Sequence, residues 1–265
     1  MPGDLLTLTL DDQHIFTLDH LKAACEGCSL AGLCLPVGLE REEIEQLERI
    51  VKHSHPLHKD DHLFQAGDRF RSLYAVRSGS VKTYLPSSDG GEQILGFHLP
   101  GEVVGLDAID SGSHTCSARM LETSSVCEIP FSRLDELAET IPSIYRQVCR
   151  LLSKELSQES EMLILLGKKT ADERLATFLS CLSRRLEKRG FSATEFNLSM
   201  SRHEIGSYLG LAVETVSRLF TRFQEDGLIE VERKHVRLLD PQRLYDLATP
   251  GGHSSLKKDS SLSGG

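Results

Sequence analysis

From Pro142 to Leu166 the chain carries no glycine and no further proline, and Tyr145, Cys149, Leu152, Leu156, Glu159, Leu163 and Leu166 recur at alternating steps of four and three. That period lines one side of an α-helix with a continuous seam, the pattern by which two helices wind around each other. A helix packed only against its own domain is the competing reading. Glu159 is the exception in an otherwise largely apolar seam. If two copies pair about a twofold axis, a seam residue approaches its own mate. Two carboxylates brought together in a partly dry interface repel, or one takes up a proton. The spacing predicts a dimerisation helix over 142–168 that pairs copies of the chain only weakly.

At 265 residues the chain is comfortable for two domains, and the two sides of this helix differ in texture. Ahead of it, "EREEIEQLERI" at 40–50 places Ile44, Leu47 and Ile50 at helical spacing among charges. From His62 to about Ile129, short β-like runs alternate with Gly67, Gly79, Gly90, Gly91, Gly101 and Gly112. Evenly spaced short strands with glycine turns indicate an antiparallel barrel or roll, or a β-sandwich. Behind it, a helical segment over 170–188 leads to helices over 202–209 and 213–226, joined at Gly210 and closed by Gly227. Two short strands flanking "ERKH" follow. Two helices across a tight glycine turn, then a hairpin, form a winged helix-turn-helix. The end of the chain, "TPGGHSSLKKDSSLSGG", is Gly/Ser-rich and expected to be disordered over 249–265.

Within the second helix, Glu214, Ser217 and Arg218 share one face near the N-terminus, and Val216, Leu219 and Phe220 lie on the other. Arginine offers a fork matched to guanine O6 and N7, glutamate accepts from cytosine N4, and serine reaches a base or a phosphate. Arg222 one turn on, Arg202, and the wing residues Arg233, Lys234 and Arg237 are candidates for phosphates, which position the protein without reading sequence. A solvated Glu–Arg surface pair is the bland alternative. Charge distribution favours double-stranded DNA as partner. The whole chain stands at −9, yet 168–246 holds 14 basic against 12 acidic residues, so a mildly basic end is joined to an acidic body.

No apolar window is long enough for a membrane span, and the start "MPGDLLTLTLDDQ" lacks the basic region of a signal peptide. Seven cysteines, an odd number, argue against a disulfide framework and for reduced thiols in a cytoplasm. Three of them crowd into "CEGCSLAGLC": Cys25, Cys28 and Cys34. Soft thiolates suit zinc or iron–sulfur. A zinc site needs a second close pair, which the sequence does not offer in the usual register. A thioredoxin-like pair needs a βαβ setting, and an enzyme built on it would need acid/base partners that do not accompany Cys25 and Cys28. Cys149 in the seam and Cys181 in an apolar helical stretch are both expected to be small core residues.

"LAVETVSRLFTRFQEDGLI" resembles the recognition helix of the cyclic-AMP receptor protein/FNR superfamily of bacterial regulators, in the ExxSR form of the FNR branch. "CEGCSLAGLC", "GEQILGFHLPGEVVGLDAI" and "LETSSVCEIPFSRLDEL" resemble the oxygen-sensing members of that branch, over roughly residues 20–250. The resemblance implies an α+β chain: a cysteine segment (1–38), a cyclic-nucleotide-binding-like antiparallel β-roll (39–141), the dimerisation helix (142–168) and a winged helix-turn-helix (169–248). It implies a 4Fe-4S cluster on Cys25, Cys28, Cys34 and a fourth cysteine in the "VCEIP" strand, Cys127, with Cys116 the rival eleven residues earlier. It further implies a cluster-dependent homodimer on a TTGAT-N4-ATCAA-type palindrome, contact with RNA polymerase, regulation of anaerobic genes as an activator or a repressor, and oxygen as the signal that dismantles the cluster into monomers. No enzyme activity is implied.

The superfamily members that bind cyclic AMP pair a Gly-Glu with an arginine that takes the phosphate. This chain has Gly101 and Glu102, but the later segment reads "SGSHTCSAR", with no cation before the hydroxyl residues. Burying a phosphate there would be costly, which argues against a cyclic nucleotide. Haem on His98 or His114 is a remoter option. A regulator of this superfamily with zinc or a small-molecule effector in place of the cluster remains the alternative.

Overall fold

The computed structural model describes Cys25, residues 27–87 and residues 90–249. The rest of the cysteine segment and the glycine/serine-rich end lie outside the described residues.

After the cysteine turns, helix α1 (Arg41–Ile50) leads into β1 (Lys52–His53) and β2 (His62–Phe64). There follow β3 (Ser72–Ser78), β4 (Val81–Pro86), β5 (Glu92–His98), β6 (Val103–Val104), β7 (Ser117–Met120) and β8 (Ser125–Pro130). They form two antiparallel four-stranded sheets, ordered β1-β8-β3-β6 and β2-β7-β4-β5. Two sheets with alternating apolar faces bury Phe64, Leu73, Val76, Val81, Val104, Met120, Val126 and Ile129 between and beneath them. The β-rich texture read from the sequence is a roll.

Helix α2 (Phe131–Thr140) turns at Ile141 into α3 (Pro142–Lys168), whose proline at the first position has no amide to leave unpaired. Ile144 and Leu151 bury one side of α3 against the roll, in a core shared with Leu35, Leu47 and Leu134. Helix α4 (Ala171–Glu187) starts on a reciprocal cap between Thr170 and Glu173. Then come β9 (Glu195–Asn197), α5 (Arg202–Leu209), α6 (Val213–Glu225), β10 (Ile229–Glu232), β11 (His235–Leu238) and α7 (Pro241–Ala248). The wing is a three-stranded sheet ordered β10-β11-β9, one strand more than the sequence predicts.

The two halves are docked. Phe97 of the roll packs against Phe178 of α4 and Tyr208 of α5, with ring centroids 6.1 and 5.1 Å away. Arg174 ties α4 to the end of α3 and to α5, donating to the carbonyls of Leu166 (2.7 Å), Lys169 (2.9 Å) and Leu209 (2.9 Å).

Candidate functional site

Residues 29–38 run as successive tight turns. The Ala31 amide donates to the Cys28 carbonyl at 3.0 Å, and the Cys34 amide to the Leu30 carbonyl at 3.0 Å. Leu35, fully buried, anchors the segment in the core of the roll. Cys127 lies on β8, level with Ala75 of β3 and His53 of β1, and its Sγ is 3.6 Å from His53 Nδ1. The two parts of the chain meet at one cavity of about 460 Å³, mouth included, lined by Cys25, Cys28, Cys34 and Cys127. Its other walls are mainly aliphatic, among them Leu47, Val51 and Ile129, with Arg77 the basic exception.

Burial in these apolar walls raises the Cys25 thiol to about 11, with Cys127, Glu48 and Cys28 adding to the effect and Arg77 opposing it. Burial likewise pushes Cys34 up to about 12. Cys127 is also raised by burial, against the pull of Arg77. Among the described residues, no three His, Cys, Asp or Glu side chains converge closely enough to hold a metal ion. The four thiols ring the cavity instead. Soft sulfur donors in an apolar setting suit iron–sulfur ligation by donor type.

Cys116, the rival fourth thiol, stands elsewhere. It is buried in the core with Phe64, Val104 and Ala118, and its Sγ donates to Asp107 Oδ2 at 3.7 Å. Asp107 also accepts the Thr115 amide at 2.7 Å, and its other oxygen is 3.3 Å from His114 Nδ1. The His114 ring stacks on Phe64, centroid to centroid 3.6 Å. A carboxylate and a stacked ring thus occupy the "SGSHTCSAR" region, a setting hostile to an anion. His98 is held by burial to about 4 and lies 3.0 Å from Thr83 Oγ1.

On α3 the exposed side carries Tyr145 (66% exposed), Leu156 (65%) and Leu163 (73%), with Glu159 also exposed; Cys149 is exposed here too and Cys181 on α4 is half-buried, so neither is the core residue the sequence suggests. Leu152 and Leu166 are half-buried, and Leu166 packs with Met162 against the core of the C-terminal half. The helix therefore packs on its own chain with one face and leaves most of the seam open. Ile164, 55% exposed and outside the seam as read from the sequence, widens this stripe.

Ser201 and Glu204 cap α5 reciprocally, and Gly210 closes it with φ +62°, a left-handed turn that glycine adopts freely. Val216, Leu219, Phe220 and Phe223 bury the inner side of α6, leaving Glu214, Ser217 and Arg218 exposed. Thr221, seven residues after Glu214 and exposed, extends that face; the i+7 spacing is the signal that would have found it. The positions assigned to phosphate divide. Arg222 is ion-paired with Asp172, and Arg237 with Glu230 and Glu195. The Arg202 guanidinium lies 3.2 Å over the Phe220 ring, where burial lowers it to about 10. Arg233 and Lys234 are exposed at the tip of the wing.

Two families match along the chain: a cyclic nucleotide-binding domain over residues 54–140 and a Crp-like helix-turn-helix domain over residues 173–247. The chain is 58% identical to the transcriptional activator protein Anr of Pseudomonas protegens, over 86% of its own length and 94% of that protein. It is 48% identical to the fumarate and nitrate reduction regulatory protein of Escherichia coli, over 87% and 91%. Among solved structures, FixK2 from Bradyrhizobium japonicum superposes with a TM-score of 0.69 at 34% identity, covering 76% of this chain and 98% of that one. A nucleotide-type roll, an exposed polar face on the second helix of a winged helix-turn-helix, and these relatives lead to one conclusion: the chain belongs to the CRP/FNR family of DNA-binding transcription regulators, not to the enzymes.

Proposed function

We propose that this regulator reads oxygen through a 4Fe-4S cluster held by Cys25, Cys28, Cys34 and Cys127. The cluster-bearing chain pairs through α3 into a homodimer and, working with RNA polymerase in the cytoplasm, activates anaerobic genes from a TTGAT-N4-ATCAA-type palindrome. One observation carries the reading: thiols from two parts of the chain some ninety residues apart line one apolar cavity, and Cys116 is not among them. When bound, the cluster supplies a group that oxygen destroys. The chain's own part is to bring three thiols of the turn segment against the β8 thiol and so tie that segment to the roll. Tyr145, Leu156 and Leu163 supply the apolar contact of the dimer, and Glu159 opposes it, which keeps the pairing near balance. Only a nearly balanced equilibrium is switched by a few kcal/mol. Losing the mate leaves a single half-site contact, too weak for specific binding.

Protein purified without oxygen tests this directly. A brown solution with iron and sulfide, lost in Cys127→Ser but kept in Cys116→Ser, is the expected result. A Cys127→Ser protein that still assembles the cluster would overturn the ligand set, and a colourless wild type carrying zinc would replace the cofactor.

A further inference from the structure

The turn from Leu99 to Glu102 meets three other parts of the molecule. Glu102 has a side chain only 11% exposed, and it receives two guanidiniums from α4 and the residues just after it. Arg185 Nη2 donates to Oε2 at 2.6 Å and Nε to Oε1 at 3.2 Å, and Arg189 Nη2 donates to Oε1 at 2.7 Å. The same arginines reach the backbone of β5 and of the turn, Arg185 Nη2 donating to the Phe97 carbonyl at 2.5 Å and Arg189 Nε to the Pro100 carbonyl at 2.6 Å. The cysteine segment rests on this turn. Gly101 sits at φ +87°, and a Cβ there would come within 2.9 Å of Leu33 Cβ. Leu151 and Glu155 of α3 close the junction from the third side.

A second contact joins the same two halves. Lys82, its side chain 3% exposed, bridges Glu92 at 2.6 Å and Glu204 of α5 at 2.8 Å. Beside it, the Ile94 amide donates across the junction to Ser207 Oγ at 2.9 Å. Together the two contacts fix α4 and α5, and through them α6, relative to the roll and α3. A dimer reading two half-sites about one helical turn apart requires a fixed placement of both recognition helices.

We propose that Glu102 is a positioning residue for DNA recognition: by holding Arg185 and Arg189 it sets the posture of the DNA-binding half on the roll, and the cysteine segment supports that posture through Leu33 and Gly101. The state of the thiol segment then reaches α6 inside a single subunit, in addition to acting on dimer formation. Removing the carboxylate leaves two largely buried cations without their shared partner, and undocking is the escape open to them. The part concerning half-site spacing rests on the palindrome proposed above.

Amide hydrogen exchange of the full chain reads the posture without DNA, because the Ile94 amide is held by the inter-domain bond to Ser207. In Glu102→Gln, Ile94 exchange is expected to accelerate by about tenfold or more while amides of the buried face of α3 keep their protection. Arg189→Gln, which leaves Glu102 paired with Arg185, should give a smaller acceleration and guards against simple misfolding. Binding to palindromes with four and with five central base pairs completes the test. Glu102→Gln should lose affinity for the four-base-pair spacing and discriminate less between the two. Unchanged Ile94 exchange in Glu102→Gln, or equal loss on both duplexes with discrimination intact, would overturn the proposal. Failure of the wild type to bind either duplex would instead count against the proposed palindrome, and Ile94 exchange would still decide the role of Glu102.

Discussion

Among the described residues, Arg218 leaves the outer side of α6 with one long contact of its own, Nε to the Glu214 carbonyl at 3.4 Å, so its guanidinium is available to a base edge. Arg222, one turn further, is already engaged by Asp172. The two arginines should therefore behave differently. Arg218→Ala should weaken binding to the proposed palindrome by about tenfold to a hundredfold, roughly 1–3 kcal/mol, and relax preference at one base position per half-site. Arg222→Ala should weaken binding less and uniformly across sequences; titrations over a set of point-substituted duplexes separate the two patterns. The sequence supports the first arginine, because helical spacing alone puts Glu214, Ser217 and Arg218 on one exposed face. It is silent on the second, because Asp172 is fifty residues away and no periodicity links the pair. The cysteines divide in the same way. Spacing singles out Cys25, Cys28 and Cys34 but does not separate Cys127 from Cys116; the resemblance around "VCEIP" ranks Cys127 first, and the fold puts Cys127 on the wall of the thiol cavity and Cys116 in the core.

Among the elements, α3 is the most legible. Its period of three and four marks a stripe that the structure leaves mostly open, while Ile144, Leu151 and Leu165 bury the other side. Leu166 departs from that pattern because the end of the helix enters the core of the C-terminal half. Glu159 is exposed one turn from Glu155, whose carboxyl is raised first by burial and then by the Glu159 charge. Replacing Glu159 with alanine should tighten the dimer by about tenfold to a hundredfold, ~1.4–3 kcal/mol, and yield a dimer that persists in air. Sedimentation equilibrium checks this, and a variant that stays monomeric would mean that the open stripe is not the pairing surface. The elements that escape the sequence are short ones. The three residues of β9 acquire strand geometry only by pairing with β11, and α7 is held by packing on α4, so neither has a local pattern strong enough to announce it.

For the whole molecule, the docking of one half on the other is the feature least visible in the sequence. Gly101 and Glu102 invite comparison with a nucleotide site, but the partners of Glu102 are 83 and 87 residues further along. Burial raises the Glu102 carboxyl, and the guanidiniums of Arg185 and Arg189, with His98 nearby, outweigh that and hold it to about 2, below its ordinary 4.5. A depressed carboxylate contributes stability that is present above about 4.5 and lost as pH falls toward about 2. Acid unfolding of the wild type and Glu102→Gln should therefore differ most above that window and converge within it.

The charge pairs around α6 have a further consequence. Asp172 answers Arg222, Glu230 and Glu195 answer Arg237, and the rest of the chain is strongly acidic. Two of the five cations assigned to phosphates, Arg222 and Arg237, are thus neutralised before any duplex arrives, and the acidic body behind them is repelled. Attraction to arbitrary DNA comes mainly from unpaired cations, so a molecule built this way dwells briefly on the wrong sequence. Its search of a chromosome proceeds by short visits and frequent departures, ended where a base-reading face such as that of Arg218 finds its match.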